Sequence, residues 1–266
     1  MKRIAVLPTM VTLGNGLCGF GAVGCLVKAQ TGGEEIFAAY MEWACLLILA
    51  AMVFDALDGS VARLARVSSE FGGQLDSLAD VISFGLAPAL TIMVVASYEG
   101  FLQRVGRVTG SLFLVCTMLR LARYNVESRE HEGPTLYFAG LPTPAAAGLV
   151  ASLALMHFNV RTDRELGFIA AHLQPMMAWM VRFLPLVAAV AALLMVSRVP
   201  YMHLINHVLR DQEPFDYVVR VILMVLFAVF TWPFSLPLAF SIYVAWGLLA
   251  SVRRSVAQTA AVRQGR

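Results

Sequence analysis

Long apolar segments recur along this sequence and constrain its fold more than any other feature. Hydrophobic residues make up 59% of the 266 positions, and only 14% are charged. The mean hydropathy is +0.74. A soluble domain of this size could not bury so much apolar surface, whereas apolar segments of this length suit helices in a bilayer. We therefore expect an all-α integral membrane protein.

Eight segments are candidates for transmembrane helices in a polytopic helical bundle. We expect one membrane domain over residues 1–252 and a basic, disordered cytosolic tail over residues 253–266. No internal repeat is evident. The predicted spans are Leu7–Val27, Ile36–Phe54, Gln74–Ser97, Leu102–Arg123, Thr143–Phe158, Trp179–Val196, Val221–Trp232 and Leu236–Val252.

The placement of Lys and Arg residues predicts the orientation of the bundle. With both termini in the cytosol, only six of the 20 Lys and Arg residues fall on the outer side. This bias follows the positive-inside rule and predicts that both termini and the active site face the cytosol. We expect the protein to be integral to the cytoplasmic membrane. The outer six are Lys28, Arg104, Arg107, Arg161, Arg164 and Arg182.

Four aspartates interrupt the apolar pattern where the second predicted span leaves the membrane and the third begins. Asp55 and Asp58 are three residues apart, and Asp76 and Asp80 are four apart, so each pair lies on one face of a helix. Four acids near a lipid boundary repel one another, and their ionisation there is costly. Divalent cations would offset the repulsion, and an all-carboxylate ligand set suits Mg²⁺ or Mn²⁺ rather than Zn²⁺.

Small and basic residues beside the acids favour a phosphate-bearing substrate. Gly59 and Ala62 leave a bare groove next to Asp58, where a phosphate or a flat ring can approach the backbone. Arg63 lies one turn after Gly59 and can donate a fork of hydrogen bonds to phosphate oxygens. The alternative, helix ends that merely carry charge, is disfavoured because acids in such register rarely occur without a ligand.

The complete pattern D-x2-D-G-x2-A-R-x8-G-x3-D-x3-D resembles the signature of the CDP-alcohol phosphatidyltransferase family. The resemblance implies a membrane enzyme with a six-helix core that forms a homodimer. It would transfer a phosphatidyl-type group from a CDP-linked lipid to an alcohol and release CMP. It also implies that the four aspartates hold two ions, Mg²⁺ or Mn²⁺, and that Asp80 is the general base. The residues that would bind CDP are Asp55, Asp58, Gly59, Ala62, Arg63 and Gly72. The fixed positions are Asp55, Asp58, Gly59, Ala62, Arg63, Gly72, Asp76 and Asp80.

Further stretches resemble the phosphatidylserine synthase branch of this family. This branch implies CDP-diacylglycerol and L-serine as substrates, with phosphatidylserine and CMP as products of a direct displacement. Thr9 stands where we expect asparagine, and the last 65 residues carry no recognised motif. The stretches are Leu7–Asn15 (LPTMVTLGN), Leu119–Asn125 (LRLARYN), Gly140–Gly148 (GLPTPAAAG) and Leu194–Tyr201 (LMVSRVPY).

Such a site must hold anions beside its acids, because serine carries a carboxylate and the lipid carries a phosphate. Arg120, Arg123 and Asn125, at the cytosolic end of the fourth predicted span, are the candidates for binding the acceptor or the lipid phosphate. The competing interpretation is that both arginines snorkel to lipid headgroups. Thr12 and Asn15 share one face of the first span, where they either line the polar pocket or bridge helices.

The sequence leaves other functions open. Within the family, the acceptor can be glycerol phosphate, inositol or inositol phosphate, and the lipid can be an archaeal ether lipid. Intramembrane acids also occur in ion-coupled transporters, but those should show repeated halves and acids near mid-membrane. The aspartates here lie at one boundary, which strongly disfavours transport. The net charge of +3 does not suggest a nucleic-acid partner.

Overall fold

Helices dominate the computed structural model, which describes residues 6–65, 70–98, 103–130, 137–162, 176, 179–197, 199–202 and 234–264. The all-α class is confirmed. The seventh predicted span, Val221–Trp232, lies outside the described residues, so eight remains a predicted number of spans.

Five helices form the N-terminal half of the protein. Helix α2 continues past the aspartate pair to Ala65, and the chain is helical again from Glu70. A π-helical segment, Val81–Leu86, joins α3 to α4 without a break. The helices are α1 (Val6–Thr31), α2 (Glu34–Ala65), α3 (Glu70–Asp80), α4 (Ala87–Tyr98) and α5 (Gln103–Glu130).

Three more helices complete the described part of the chain: α6 (Thr143–Thr162), α7 (Leu184–Val196) and α8 (Ser235–Gln264). The prediction of a disordered tail after Val252 was wrong, because α8 continues to Gln264. Ala, Arg and Gln are frequent in this tail and have high helix propensity, so the helix extends beyond its apolar part.

Four helical stretches in the described residues are long and apolar enough to cross a membrane. The lipid-facing side of α1 is visible in its side chains: Leu17 and Phe20 are 69% and 71% exposed, whereas Ala22 and Leu26 are buried. These features agree with an integral membrane protein. The four stretches are Pro8–Thr31, Ile36–Gly59, Phe71–Tyr98 and Gln103–Glu127, and the apolar helices Leu184–Val196 and Ser235–Ala250 are shorter.

Close packing between α1 and the π-helical segment brings α1 alongside the aspartates. A Cβ atom on Gly19 would lie 2.7 Å from the Cα of Ser83, a separation that no side chain tolerates. Ser83 Oγ also donates a hydrogen bond to the backbone oxygen of Asn15 at 2.9 Å. Such π-helical segments are rare and often occur at functional sites, and this one begins directly after Asp80.

Two short antiparallel strands, β1 (Tyr137–Ala139) and β2 (Pro200–Met202), tie the start of α6 to the end of α7. Gly140 follows β1 with a φ of 92°, a left-handed conformation that favours glycine. Its N–H donates to the oxygen of Val199 at 2.8 Å. Strands of three residues show no periodic pattern, so the sequence did not predict this pairing.

Candidate metal and substrate site

Three of the four predicted aspartates lie together where side chains of α2 and α3 converge. One carboxylate oxygen from each of Asp55, Asp76 and Asp80 lies within 4.8 Å of the other two. Asp55 is on α2, and the other two occupy the C-terminal part of α3 four residues apart, so both point to the same side. Because three carboxylates this close repel one another, the cluster is suited to bind a divalent cation.

Asp58 lies beside this three-carboxylate cluster and is bound to α1. Its Oδ2 accepts a hydrogen bond from Thr12 Oγ1, and both side chains are buried. Asp58 still interacts electrostatically with Asp55 and Asp76. The structure therefore groups three of the predicted metal ligands, and the role of Asp58 as a fourth stays a prediction.

Asn15 connects α1 to Asp80 in the interior of the protein. Its Nδ2 donates a hydrogen bond to Asp80 Oδ1 at 3.0 Å, and its side chain is fully buried. Its own Oδ1 is buried without a hydrogen-bond partner among the described residues. Of the two interpretations left open by the sequence, the structure favours the one in which Thr12 and Asn15 line the polar pocket.

The remaining positions of the aspartate motif flank the cluster. Gly59 is exposed on α2 immediately after Asp58, and Gly72 is half-buried near the start of α3. The backbones of Ala62 and Arg63 belong to α2, but their side chains lie outside the described part of the structure. Their contribution to CDP binding stays a prediction.

Arg120 brings a positive charge to the three-carboxylate cluster. It lies on α5 and interacts electrostatically with Asp80 and Asp55. Its Nη1 donates a hydrogen bond at 2.9 Å to Oγ1 of Thr143, the buried first residue of α6. Its Nε is buried and has no partner within the described ranges. A buried donor left unpaired is costly, so this nitrogen is well placed to bind a ligand, and the arrangement disfavours snorkelling.

Arg123 and Asn125 make different contacts from Arg120. Arg123 Nε donates to Glu127 Oε1 at 2.6 Å on a partly exposed face of α5. Asn125 Nδ2 donates to Ser77 Oγ at 2.8 Å and so holds α5 against α3 next to Asp76. Of the three predicted acceptor residues, Arg120 is thus the one whose charge is coupled to Asp80 and Asp55.

Two residues that interact with Arg120 were not predicted from the sequence. Thr143 belongs to the GLPTPAAAG stretch, whose resemblance to a known branch was the available signal. Tyr243 on α8 interacts electrostatically with Arg120, although no motif marked the C-terminal part of the chain. A residue of this kind is found only when the helices are placed in space.

The fold and site define a membrane-embedded helical protein with an acidic candidate metal centre built on α1, α2 and α3. A family model described as CDP-alcohol phosphatidyltransferase matches residues 5–191, which include the whole aspartate motif and Arg120. The chain belongs to the CDP-alcohol phosphatidyltransferase family.

Several known relatives are similar to this chain over part of its length. The CDP-diacylglycerol–serine O-phosphatidyltransferase of Saccharomyces cerevisiae is 39% identical over 160 residues, which are 58% of this chain and 55% of that protein. The Helicobacter pylori (strain ATCC 700392 / 26695) protein of the same name is 42% identical over 113 residues, 42% of this chain and 46% of that protein. The archaetidylserine synthase of Methanothermobacter thermautotrophicus is 43% identical over 117 residues, 43% of this chain and 47% of that protein. The chain spans about half the length of these relatives.

Proposed function

We propose that this protein transfers the phosphatidyl group of CDP-diacylglycerol to the hydroxyl of L-serine, giving phosphatidylserine and CMP. The observation that carries this proposal is the position of Arg120, a cation with a buried unpartnered Nε, beside the three-carboxylate cluster. Such a site can hold a metal cation that binds a diphosphate. Beside that cation, it can hold an anionic acceptor. The names of two relatives support serine as that acceptor.

The acidic residues are the proposed holders of divalent metal. Asp55, Asp76 and Asp80 would bind Mg²⁺ or Mn²⁺ with one oxygen each, and Asp58 would help to hold a second ion. An all-oxygen donor set fits these hard cations, and the unpartnered Oδ1 of Asn15 adds an oxygen next to Asp80. When bound, such ions neutralise the charge of a diphosphate and stabilise the leaving group.

Asp80 is the proposed general base. Its Oδ1 accepts the hydrogen bond from Asn15, so Oδ2 is the oxygen that would take up a proton. In the proposed reaction, the serine hydroxyl oxygen attacks the lipid-side phosphorus, the bond from that phosphorus to CMP breaks, and the hydroxyl proton passes to Asp80. The Asp80 side chain is only 7% exposed, and this burial would limit competing attack on the phosphorus by water.

Arg120 is the proposed binding group for the carboxylate of serine. Its Nη1 is held by Thr143, and this hydrogen bond fixes the plane of the guanidinium. The edge formed by Nε and Nη2 then offers two parallel donors, a geometry that matches a carboxylate. Phosphorylated acceptors would require a denser basic cluster, whereas Arg123 is paired with Glu127.

We further propose that the site faces the cytosol from the cytoplasmic membrane. The excess of Lys and Arg on the side of both termini supports this orientation. Serine and CMP are water-soluble, so a cytosolic site would exchange both directly with their pools.

An acceptor panel tests the proposal. The purified protein would be given CDP-diacylglycerol and Mg²⁺ or Mn²⁺, with labelled L-serine, glycerol 3-phosphate, inositol or inositol phosphate. We expect CMP release and lipid labelling with L-serine in large excess over the others. Preferred use of any phosphorylated acceptor would contradict the assignment of serine.

An ether lipid is the second candidate for the lipid substrate, because one relative is named archaetidylserine synthase. The same assay with a CDP-linked dialkyl lipid in place of CDP-diacylglycerol shows which of the two lipids is the better substrate. A higher kcat/KM with the dialkyl lipid would change the lipid assignment and leave serine as the acceptor.

A further inference from the structure

Helix α8 lies outside residues 5–191, the part of the chain that the family model matches. One face of α8 nevertheless packs against the protein interior near the site. Its inward face is defined by exposure: Val244 is buried and Tyr243 is half-buried. Ile242 and Trp246, on the side opposite Val244, are 57% and 64% exposed. Tyr243 packs against the buried core of the protein.

A close contact between α6 and α8 fixes where this face lies. A Cβ atom on Gly148 of α6 would lie 2.6 Å from Cε1 of Phe240, so the absence of a side chain at Gly148 lets the ring pack there. Gly148 is about a turn and a half from Thr143, which binds Arg120, and Tyr243 is about one turn from Phe240. The contact thus holds Tyr243 in the neighbourhood of Arg120.

The hydroxyl of Tyr243 and the guanidinium of Arg120 lie within electrostatic range of each other. Tyr243 and Arg120 interact with each other, and Arg120 also interacts with Asp80 and Asp55. A neutral tyrosine hydroxyl and a guanidinium are both hydrogen-bond donors. Two donors of this kind beside one another, one of them a buried Nε without a partner in the described residues, form a site for an anion.

We propose that Tyr243 completes an oxyanion subsite with Arg120, and that its hydroxyl donates a hydrogen bond to the same substrate anion as Arg120 Nε. In the proposed reaction this anion is the carboxylate of serine, and the assay below distinguishes it from the phosphate of the lipid. Tyr243 is then a specificity-determining residue supplied by α8, outside the matched family region. This inference rests on the proposed phosphatidyl transfer.

The variant Tyr243→Phe tests the subsite, because it removes the hydroxyl and keeps the ring. Trp246→Phe is the matched control, since it changes an exposed aromatic residue on the same helix. Initial rates of the full chain in mixed micelles would be measured with serine varied at saturating CDP-diacylglycerol, and then with the roles reversed. We expect the apparent KM for one substrate to rise roughly tenfold in Tyr243→Phe, as for loss of a hydrogen bond to a charged group, with kcat within about twofold.

The two series of rate measurements identify the anion that Tyr243 binds. A rise in the serine KM assigns the hydroxyl to the carboxylate, and a rise in the CDP-diacylglycerol KM assigns it to the phosphate. Unchanged values for both substrates, or a loss of kcat alone, would overturn the proposal. The wild-type protein is assayed with serine first. If it does not use serine, the proposed function fails, and Tyr243→Phe is then compared on the acceptor that the protein does use.

Discussion

Asn15 Nδ2 donates a hydrogen bond to Asp80 Oδ1 at 3.0 Å, and this contact joins α1 to the end of α3. Because Asp80 is the proposed general base, Asn15 acts as a positioning residue that fixes the orientation of the reactive carboxylate. The backbone of Asn15 is held in turn by Ser83, so α1 is part of the site and not only a membrane anchor.

Asn15→Leu should lower kcat more than it changes the KM for either substrate. The substitution keeps the volume of the side chain and removes a hydrogen bond to a charged group, whose loss corresponds to about 10- to 100-fold in rate. Initial rates at saturating serine and CDP-diacylglycerol measure this effect. Leu13→Ala, exposed on the same helix, is the control. A kcat for Asn15→Leu within about twofold of wild type would remove Asn15 from the positioning role.

The aspartate variants should distinguish the role of the three-carboxylate cluster from the role of Asp58. Asp55→Asn and Asp76→Asn should abolish both CMP release and tight Mn²⁺ binding, because each removes a ligand from the cluster. Asp58→Asn should also abolish CMP release but keep more of its Mn²⁺ affinity, since Asp58 lies beside the cluster and is bound by Thr12. Electron paramagnetic resonance of free Mn²⁺ measures the affinity without turnover, with Glu127→Gln as a control on the exposed face of α5.

Near-normal turnover of Asp55→Asn or Asp76→Asn with saturating metal would remove that residue from the ligand set. Equal loss of Mn²⁺ affinity in Asp58→Asn would instead show that all four aspartates act together, as the sequence motif alone predicted.

Gly140→Ala should destabilise the protein. Gly140 has a φ of 92°, where a residue with a Cβ costs about 1–2 kcal/mol, and that Cβ would also lie 2.9 Å from the oxygen of Ser197. Thermal unfolding in detergent measures the effect. Gly24→Ala is the matched control, because a Cβ there meets nothing within 4 Å and the substitution favours the helix by roughly 0.5–1 kcal/mol. An unfolding temperature of Gly140→Ala at or above that of Gly24→Ala would contradict the strand connection.

The orientation of the bundle can be tested by labelling. In a variant without the four native cysteines, a cysteine at Gly32 should react with a membrane-impermeant thiol reagent added to intact cells. A cysteine at Gln258 should react only after the membrane is opened. The reverse pattern would place the site on the outer face, away from cytosolic serine.

The sequence predicted the membrane class and the acidic site because both are local patterns. The period of a helix places Asp76 and Asp80 on one face, and the motif around Asp55 needs no tertiary information. The pairing of β1 with β2 and the interaction of Tyr243 with Arg120 join residues that are far apart in the chain. No local pattern in the sequence therefore predicts them. The helical tail was not predicted because its positive charge is typical of a disordered segment, whereas its Ala, Arg and Gln residues favour a helix.

Arg120 is proposed to bind the carboxylate of serine beside the three-carboxylate cluster, and the serine dependence of Arg120→Lys tests this role most directly. Lysine keeps the charge but loses the paired donors of the guanidinium, so the apparent KM for serine should rise about 10- to 100-fold at saturating CDP-diacylglycerol. Arg123→Lys is the matched control on the same helix, and its serine KM should stay within about twofold of wild type, because Arg123 pairs with Glu127. An unchanged serine KM in Arg120→Lys would contradict the claim and remove the main structural support for serine over another alcohol.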